Sequence, residues 1–510
     1  MRALISVYDK AGLVPFARGL ADVGFELVGS GGTATTLEDA GLEVRRVEEV
    51  TGFPEMLGGR VKTLHPRVHA AILARHAGDD LAQLSKHEIE PFDLVCVNLY
   101  PFELIAHRPG MADDDVVDMI DIGGPSLLRA AAKNYSYVTP VCRPADYDEV
   151  LMELRARGGE ISLGTRRRLA GVAFATTSAY EASIAEWFSR GDELPETLAL
   201  AFDKVVELAY GENPHQRAAY YAERGRRKHV LSRVEQLRGK PLSFNNLNDL
   251  SAARLLAREF DSPACVIVKH ANPCGVAVAD TIEDAYAKAL TADPVSAYGG
   301  VVVLNRAVTV TLGEALAEQF VEVLFAPGYD EQAMEALSRK TSVRILNDTE
   351  RRALVETERD YRRVLGGLLV QDRDWEIAGR QGMKVVSGTV SAEQWEDLLF
   401  AWRVAKHVAS NAIVLARGRQ TIGIGAGQMS RVGAVRIAIE KARELGHDLE
   451  GAVLASDAFF PFPDGPLLAL EACVTALIQP GGSKRDDEVT EAVSAAGAAM
   501  VFTGRRHFRH

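Results

Sequence analysis

The first 190 residues alternate short apolar runs with stretches whose apolar positions recur every three or four residues. Residues 3–7, 25–28 and 94–99 read as buried strands, with a helix over 12–23 between the first two. Strands alternating with helices predict a parallel sheet whose ligands gather at the strand carboxyl ends. A polar break at Gly191-Asp192-Glu193-Leu194-Pro195 precedes what reads as a new helical stretch, and it places a boundary near residue 195. Further on, Cys265-Val266-Ile267-Val268, a turn at Asn272-Pro273 and residues 275–279 read as a hairpin followed by a helix from about 282. The same order returns in Ala412-Ile413-Val414-Leu415, a turn at Arg417-Gly418, residues 421–425 and a helix from about 432. Two such units predict a duplicated α/β core.

The 510 residues carry 58 Lys and Arg against 70 Asp and Glu, a formal net charge of -12. That balance argues against nucleic acid or an anionic membrane as a partner, while leaving room for small anions held by local clusters. The five cysteines form no CxxC pair, which argues against a disulfide framework or a structural zinc and favours a reducing cytoplasm. Neither a signal peptide nor an apolar run long enough to span a membrane is visible.

Several loops carry candidate chemistry. Gly29-Ser30-Gly31-Gly32-Thr33 opens a helix with glycines and hydroxyls, a combination that suits an anion at a helix N-terminus or an ordinary capped turn. Arg60-Val61-Lys62-Thr63-Leu64-His65 follows two glycines and reads either as a ligand loop or as a solvated charged run. Asp121-Ile122-Gly123-Gly124-Pro125 leads into a helix bearing Arg129 and Lys133, so a carboxylate, backbone amides and a lysine share one helix. In the second part, Lys269-His270 ends an apolar strand, which places a cation beside a titratable ring. Gly423 to Gln428 with Arg431 could cradle a phosphate, and Asp457 stands among Phe459, Phe460 and Phe462, a setting for a flat ring.

In order, Ser6 to Lys10, Gly29 to Thr33, Gly52 to Pro66, Asn98 to Pro101, Asp121 to Asn134, Asn213-Pro214-His215, Lys269-His270, Gly425 to Gln428, Ser456 to Phe459 and Arg506 to His510 resemble one family over nearly the whole chain. It is the bifunctional purine biosynthesis family, which joins inosine monophosphate (IMP) cyclohydrolase to aminoimidazole carboxamide ribonucleotide (AICAR) formyltransferase. The resemblance implies an α/β fold with a methylglyoxal-synthase-like parallel-sheet domain over 1–195. A duplicated cytidine-deaminase-like transformylase domain, in two subdomains, is implied over 196–510. It implies 10-formyltetrahydrofolate as co-substrate, no catalytic metal, small-molecule nucleotide and folate partners, and a cytoplasmic homodimer.

Carried over residue by residue, Ser6, Lys10, Ser30, Gly31, Gly32, Thr33, Arg60, Thr63, Asn98 and Gly123 are expected to bind the cyclohydrolase nucleotide. Lys62, Tyr100, Asp121 and Lys133 are expected at the reacting groups, with Lys133 and Asp121 moving protons and Tyr100 and nearby amides stabilising the oxyanion. For formyl transfer, His270 is the expected base, Lys269 assists the leaving folate nitrogen, and Asn411 orients the formyl group. Tyr210, Glu322, Arg431, Asp457, Phe459, Arg506 and His510 are expected to line that site. Ala209 stands where the family usually has Arg, removing one expected phosphate contact. Two rivals are a zinc nucleoside deaminase, for which Pro273-Cys274 lacks the second thiolate, and a nucleotide-sensing protein without catalysis.

Overall fold

A computed structural model describes residues 1–76, 78–191, 194–224, 231, 234–348 and 358–510. Two compact units emerge: residues 1–203 with a short return beginning at Glu223, and a second unit formed by 204–222 and the later residues. Residues 192 and 193 of the polar break lie outside the described residues.

The first unit is a five-stranded parallel sheet: β1 (Arg2–Val7), β2 (Glu26–Gly29), β3 (Val44–Arg46), β4 (Leu94–Asn98) and β5 (Thr139–Val141), in the order β3-β2-β1-β4-β5. Alternate residues of β1 feed two cores: Ala3, Ile5 and Val7 pack one face, Leu4 the other. Burial on both faces is why these strands read as unbroken apolar runs. The strand order reverses at β1, so the loops after β1, β2 and β4 surround the crevice where such sheets bind ligands.

After the break the chain forms a strand, β6 (Phe202–Leu208), where the sequence predicted a helix. Phe202, Val205 and Val206 have helical spacing, but the β-branched pair favours extended backbone, and β6 pairs with β7 (Ala218–Glu223) in a two-stranded sheet. The remaining strands are β8 (Glu235–Arg238), β9 (Ala264–Lys269), β10 (Asn272–Val278), β11 (Gly300–Leu304), β12 (Val321–Ala326), β13 (Arg344–Asn347), β14 (Arg359–Val364), β15 (Gly367–Asp372), β16 (Lys384–Ser387), β17 (Ile413–Arg417), β18 (Gln420–Gly425), β19 (Val453–Ser456), β20 (Ala476–Gln479) and β21 (Ala499–Phe502).

Twelve of them form one sheet, ordered β16-β21-β20-β19-β17-β18-β10-β9-β11-β12-β13-β8, and β14–β15 stand apart as a hairpin. The order is a palindrome of two six-stranded halves. In each, a hairpin's first strand runs antiparallel to the next strand, two parallel strands follow, and an antiparallel edge strand closes the sheet. The halves meet at β10 and β18, joined at Ala277 and Gln420 and by the Thr421 hydroxyl on the Val276 backbone. The helices Phe244–Ala257 and Ala392–Ala405 share a single core on one face, whereas each half keeps its own helices on the other. The predicted duplication therefore extends over the whole sheet.

Both hairpin turns lie one or two residues from their expected places. His270-Ala271 and Gly418-Arg419 make the turns, with φ of 52° and 61° in the first and 58° and 56° in the second. Two successive left-handed residues match the strand twist of a two-residue hairpin. Asn272 and Pro273 already belong to β10, and Pro273 sits beside a bulge before Gly275, where a missing N–H is tolerated. Gly425 is obligatory in its strand, because a Cβ there would collide with the Ala434 carbonyl of the Arg431–Glu444 helix.

Candidate active sites

In the first unit the loops after β1, β2 and β4 bond to one another. The Ser6 and Ser30 hydroxyls share a hydrogen bond of 2.7 Å, and Lys10 Nζ donates to the Thr33 hydroxyl at 2.9 Å and to the Val7 carbonyl. Burial lowers the Lys10 pKa, partly offset by Asp9. Gly31 and Gly32 begin the Gly31–Asp39 helix, and Gly31 lies against Lys62 Nζ, where an added side chain would collide. Lys62 pairs with Glu55 Oε2 at 2.6 Å. Thr63 is buried with its hydroxyl near Gly123, so the 60–63 loop reaches from the hydroxyl-rich turn to the Asp121 turn. Arg60 is exposed and bonds its own loop, through Nε to the Leu57 carbonyl.

Asn98 has a task beyond the expected one. Its Oδ1 accepts the Tyr8 and Asp9 amides and its Nδ2 donates to the Asp9 carbonyl, so the side chain staples the loop and keeps one N–H for a ligand. Tyr100 is half exposed and stands 5.3 Å from the Tyr8 ring. Burial, with Asp121, Glu55 and Tyr8 nearby, raises its phenol pKa and keeps the O–H a donor.

Asp121 Oδ1 accepts the Gly124 amide at 2.8 Å, which removes that amide from the expected oxyanion donors. The Asp121 amide in turn donates to the Tyr180 hydroxyl at 2.7 Å. Burial raises the Asp121 pKa, with the Gly124 bond opposing it. Lys133 is the last residue of the Gly123–Lys133 helix and is exposed, about 15 Å along the axis from the helix start. Asp121 and Lys133 therefore do not meet within one copy of the chain: sharing a helix placed them at opposite ends. Lys10 and Lys62 are lysines that the fold delivers to this crevice, Lys62 on the loop that reaches the Asp121 turn.

Asp121→Asn is expected to lower the reaction of this site by about two orders of magnitude while raising the thermal unfolding midpoint at pH 8. A carboxyl whose folded pKa is raised loses stability as pH rises through that value, whereas the amide does not. Unfolding curves at pH 8 and below pH 4 check the sign: the gap between the two proteins closes in acid.

In the second unit Lys269 Nζ donates to the Tyr298 and Gly299 carbonyls at 2.8 and 3.0 Å, leaving one of its three protons free. His270 is exposed at the turn, and Asp249 Oδ1 holds that turn through the Ala271 amide at 2.7 Å. Burial raises the Asp249 pKa against the turn's hydrogen bonds. A cavity of about 270 Å³ beside the turn is lined by Lys269, His270, Asn272, Gly423, Ala426 and Lys441, astride the sheet midline. Asn272 Oδ1 accepts the Ala409 amide at 2.9 Å, tying the first half's turn to the loop that carries Asn411.

Asn411 donates to the Gln428 carbonyl at 2.7 Å and accepts from Arg431 at 2.6 Å. Arg431 and Asp457 form a buried ion pair, with Ser456 accepting from the guanidinium and the Ser410 hydroxyl donating to the carboxylate. Both were expected to touch ligand. Their burial and mutual satisfaction make them the scaffold under Asn411 instead, because a buried charge needs its partner. Phe459 stays partly exposed beside them. Glu322 accepts from Asn246 at 3.1 Å and pairs with Arg344 at 3.5 Å, bracing the helix that supplies Asp249. Tyr210 accepts the Phe244 amide at its carbonyl, and the neighbouring Ala209 amide bonds Leu242. Arg506 lies over the Phe508 ring at 4.2 Å, and Phe508 stands 5.6 Å from the His510 ring.

The pseudo-symmetric counterpart of this site lacks its chemistry. The Asp457 amide bonds the Ala412 carbonyl as the Asn305 amide bonds Ala264, and Ser430 caps its helix as Thr281 does. By that correspondence Asn411, Arg431 and Asp457 face Pro263, Ile282 and Asn305. Asp397 also occupies both amides of the Gly418-Arg419 turn. Glu55, Tyr180 and Asp249 escaped the sequence reading, the last two because they act through partners 59 and 22 positions away. Glu55 had a signal, its place in the Gly52 to Pro66 stretch. Among the described residues, no group of three or more His, Cys, Asp or Glu is placed to hold a metal ion, and no helix is long and apolar enough to cross a membrane.

Residues 131–441 match the family model for the AICARFT/IMPCHase bienzyme, and residues 12–126 match the MGS-like domain. The chain belongs to the AICARFT/IMPCHase bienzyme family. Relatives named bifunctional purine biosynthesis protein PurH are similar over the full length. That of Magnetococcus marinus is 50% identical, and that of Halalkalibacterium halodurans 48%, each match covering 100% of this chain and 99% of the relative. That of Cereibacter sphaeroides is 49% identical, covering 100% and 98%. As an AICARFT/IMPCHase bienzyme, the chain joins the parallel-sheet MGS-like unit to a mixed α/β unit.

Proposed function

We propose that the two units divide the final two steps of purine biosynthesis, with formyl transfer at the sheet midline of the second and ring closure in the crevice of the first. The chain moves a formyl group from 10-formyltetrahydrofolate to the amine of AICAR and then closes the product to IMP with loss of water.

In formyl transfer the amine nitrogen bonds to the formyl carbon, the bond from that carbon to the folate nitrogen breaks, and one proton passes from amine to folate. His270 takes the amine proton, the free Lys269 proton meets the leaving nitrogen, and Asn411 orients the formyl oxygen. In ring closure the carboxamide nitrogen bonds to the formyl carbon and the carbon–oxygen bond breaks. The oxygen leaves as water with one proton from the carboxamide nitrogen and one from the formamide nitrogen, which becomes doubly bonded to that carbon. Asp121 accepts the amide proton, Lys62 supplies the proton that turns the oxygen into water, and the Tyr100 O–H stabilises the developing oxyanion. Ser6, Lys10, Ser30, Gly31, Gly32, Thr33, Arg60 and Thr63 bind the phosphate side of that nucleotide.

The observation that carries this reading is the Asn272–Ala409 bond, which brings His270 and the Asn411 loop together beside the midline cavity. We further propose a cytoplasmic homodimer. Val364, Leu365, Leu368 and Leu369 are exposed on the β14–β15 hairpin, and an isolated two-stranded sheet is marginal in water without cover. The direct test supplies AICAR and 10-formyltetrahydrofolate and follows folate release and IMP formation separately. Both signals are expected, and folate release without IMP would remove the cyclohydrolase assignment.

A further inference from the structure

Segment 503–510 follows β21, bends at Gly504 and then alternates in burial: His507 is 4% exposed and Arg509 half-buried, while Arg506, Phe508 and His510 are exposed. The exposed three form the ring-and-guanidinium series described above. Arg509 reaches the loop that carries Asn411 directly, and His507 reaches it through Asp374, whose carboxylate stands 3.8 Å from Lys406 Nζ. His507 Nδ1 bonds Asp374 Oδ2 at 2.5 Å, its ring stands 5.1 Å from Trp402, and its amide donates to the Asp457 carbonyl at 3.1 Å. Arg509 Nη1 donates to the His407 carbonyl at 2.7 Å, and its own carbonyl accepts the Ser410 amide at 2.9 Å.

Beneath this lies a buried polar cluster. Glu259 Oε1 accepts Lys406 at 3.0 Å and bonds His407 Nε2 at 2.8 Å, and Lys406 also bonds the Glu376 carbonyl. Loop 406–411 is thus fixed by Glu259 from below, by Asn272 at Ala409 and by Arg509 at His407 and Ser410.

We propose that His507 and Arg509 are positioning residues for formyl transfer, clamping loop 406–411 so that Asn411 and the exposed Arg506–Phe508–His510 series hold their places. The proposal rests on the reading of Asn411 given above. Neither residue touches the reacting atoms, so its loss acts through geometry: a displacement of about 1 Å at a reacting group is worth as much as 10²-fold in rate.

The experiment uses the full chain with His507→Ala, His507→Gln, Asp374→Asn and Asn411→Ala, measuring kcat and KM for transfer, the cyclisation rate and thermal unfolding. His507→Ala is expected to lower transfer kcat by about tenfold or more, with nucleotide KM within about threefold and cyclisation unchanged. His507→Gln, which keeps a donor for Asp374, should recover most of that loss, a rescue that simple loss of packing does not predict. If His507→Ala misfolds, Asp374→Asn and His507→Gln carry the test, because Asp374 is half exposed and Gln keeps the bond. Wild-type transfer in His507→Ala, or a Gln variant no better than Ala, overturns the clamp. Full transfer by Asn411→Ala removes the reading on which the clamp rests, whereas loss in Asn411→Ala alone removes only the clamp.

Discussion

His270→Ala abolishes formyl transfer and leaves cyclisation at the wild-type rate. General base catalysis is typically worth 10² to 10⁴-fold, and the aromatic amine of AICAR needs more help than most because its lone pair is delocalised into the ring. No neighbour replaces the imidazole. Lys269 is held by two carbonyls, and the Asp249 carboxylate is committed to the turn amide. The substitution is mild for the fold: His270 is exposed, and Ala already occupies the adjoining left-handed position. Stopped transfer with an unchanged unfolding curve and normal cyclisation of supplied formylated nucleotide is the expected pattern. Retained transfer would falsify the assignment of His270 as base.

Lys62→Ala gives the converse pattern, with cyclisation reduced by about 10² to 10³-fold and transfer untouched. A positioned proton donor is typically worth about 10² to 10⁴-fold, and Lys62 stands where the Gly31 turn and the Asp121 turn are bridged. Its loss also leaves Glu55 without the partner that now neutralises it. A competing effect on nucleotide affinity is separated by the kinetics: loss of transition-state stabilisation lowers kcat and kcat/KM together, whereas loss of uniform binding raises KM alone. Single-turnover cyclisation at saturating nucleotide is the measurement. An unchanged rate there transfers the proton role away from Lys62.

The sequence was most informative where one residue's surroundings are decided locally. The apolar run 94–98 could only be a buried strand, and the glycines and hydroxyls of 29–33 could only open a turn into a helix. It was least informative where a side chain's task depends on a distant partner. Arg431 and Asp457 looked like free charges because their pairing, 26 positions apart, exists only once β19 and the Arg431–Glu444 helix are packed. The second task of Asn98 was hidden for the same reason, its staple to Tyr8 and Asp9 spanning about ninety positions. Lys133 was misplaced by the opposite error, since nearness along a helix was taken for nearness to its first turn. The turns slipped because nothing in His270-Ala271 announces a left-handed pair, whereas Asn272-Pro273 does look like a turn.

The palindromic sheet makes an uneven demand on evolution. Each half contributes to the working centre from only one of its two ends: the first gives a turn, the second a loop and a helix start. The corresponding ends, around Pro263, Ile282 and Asn305 and around Gly418, carry none of the residues proposed for catalysis. Substitutions should therefore accumulate at different rates in places that share the same backbone shape. A library made across both hairpins would find Gly418 and Arg419 replaceable at a cost in stability alone, and His270 not replaceable at all.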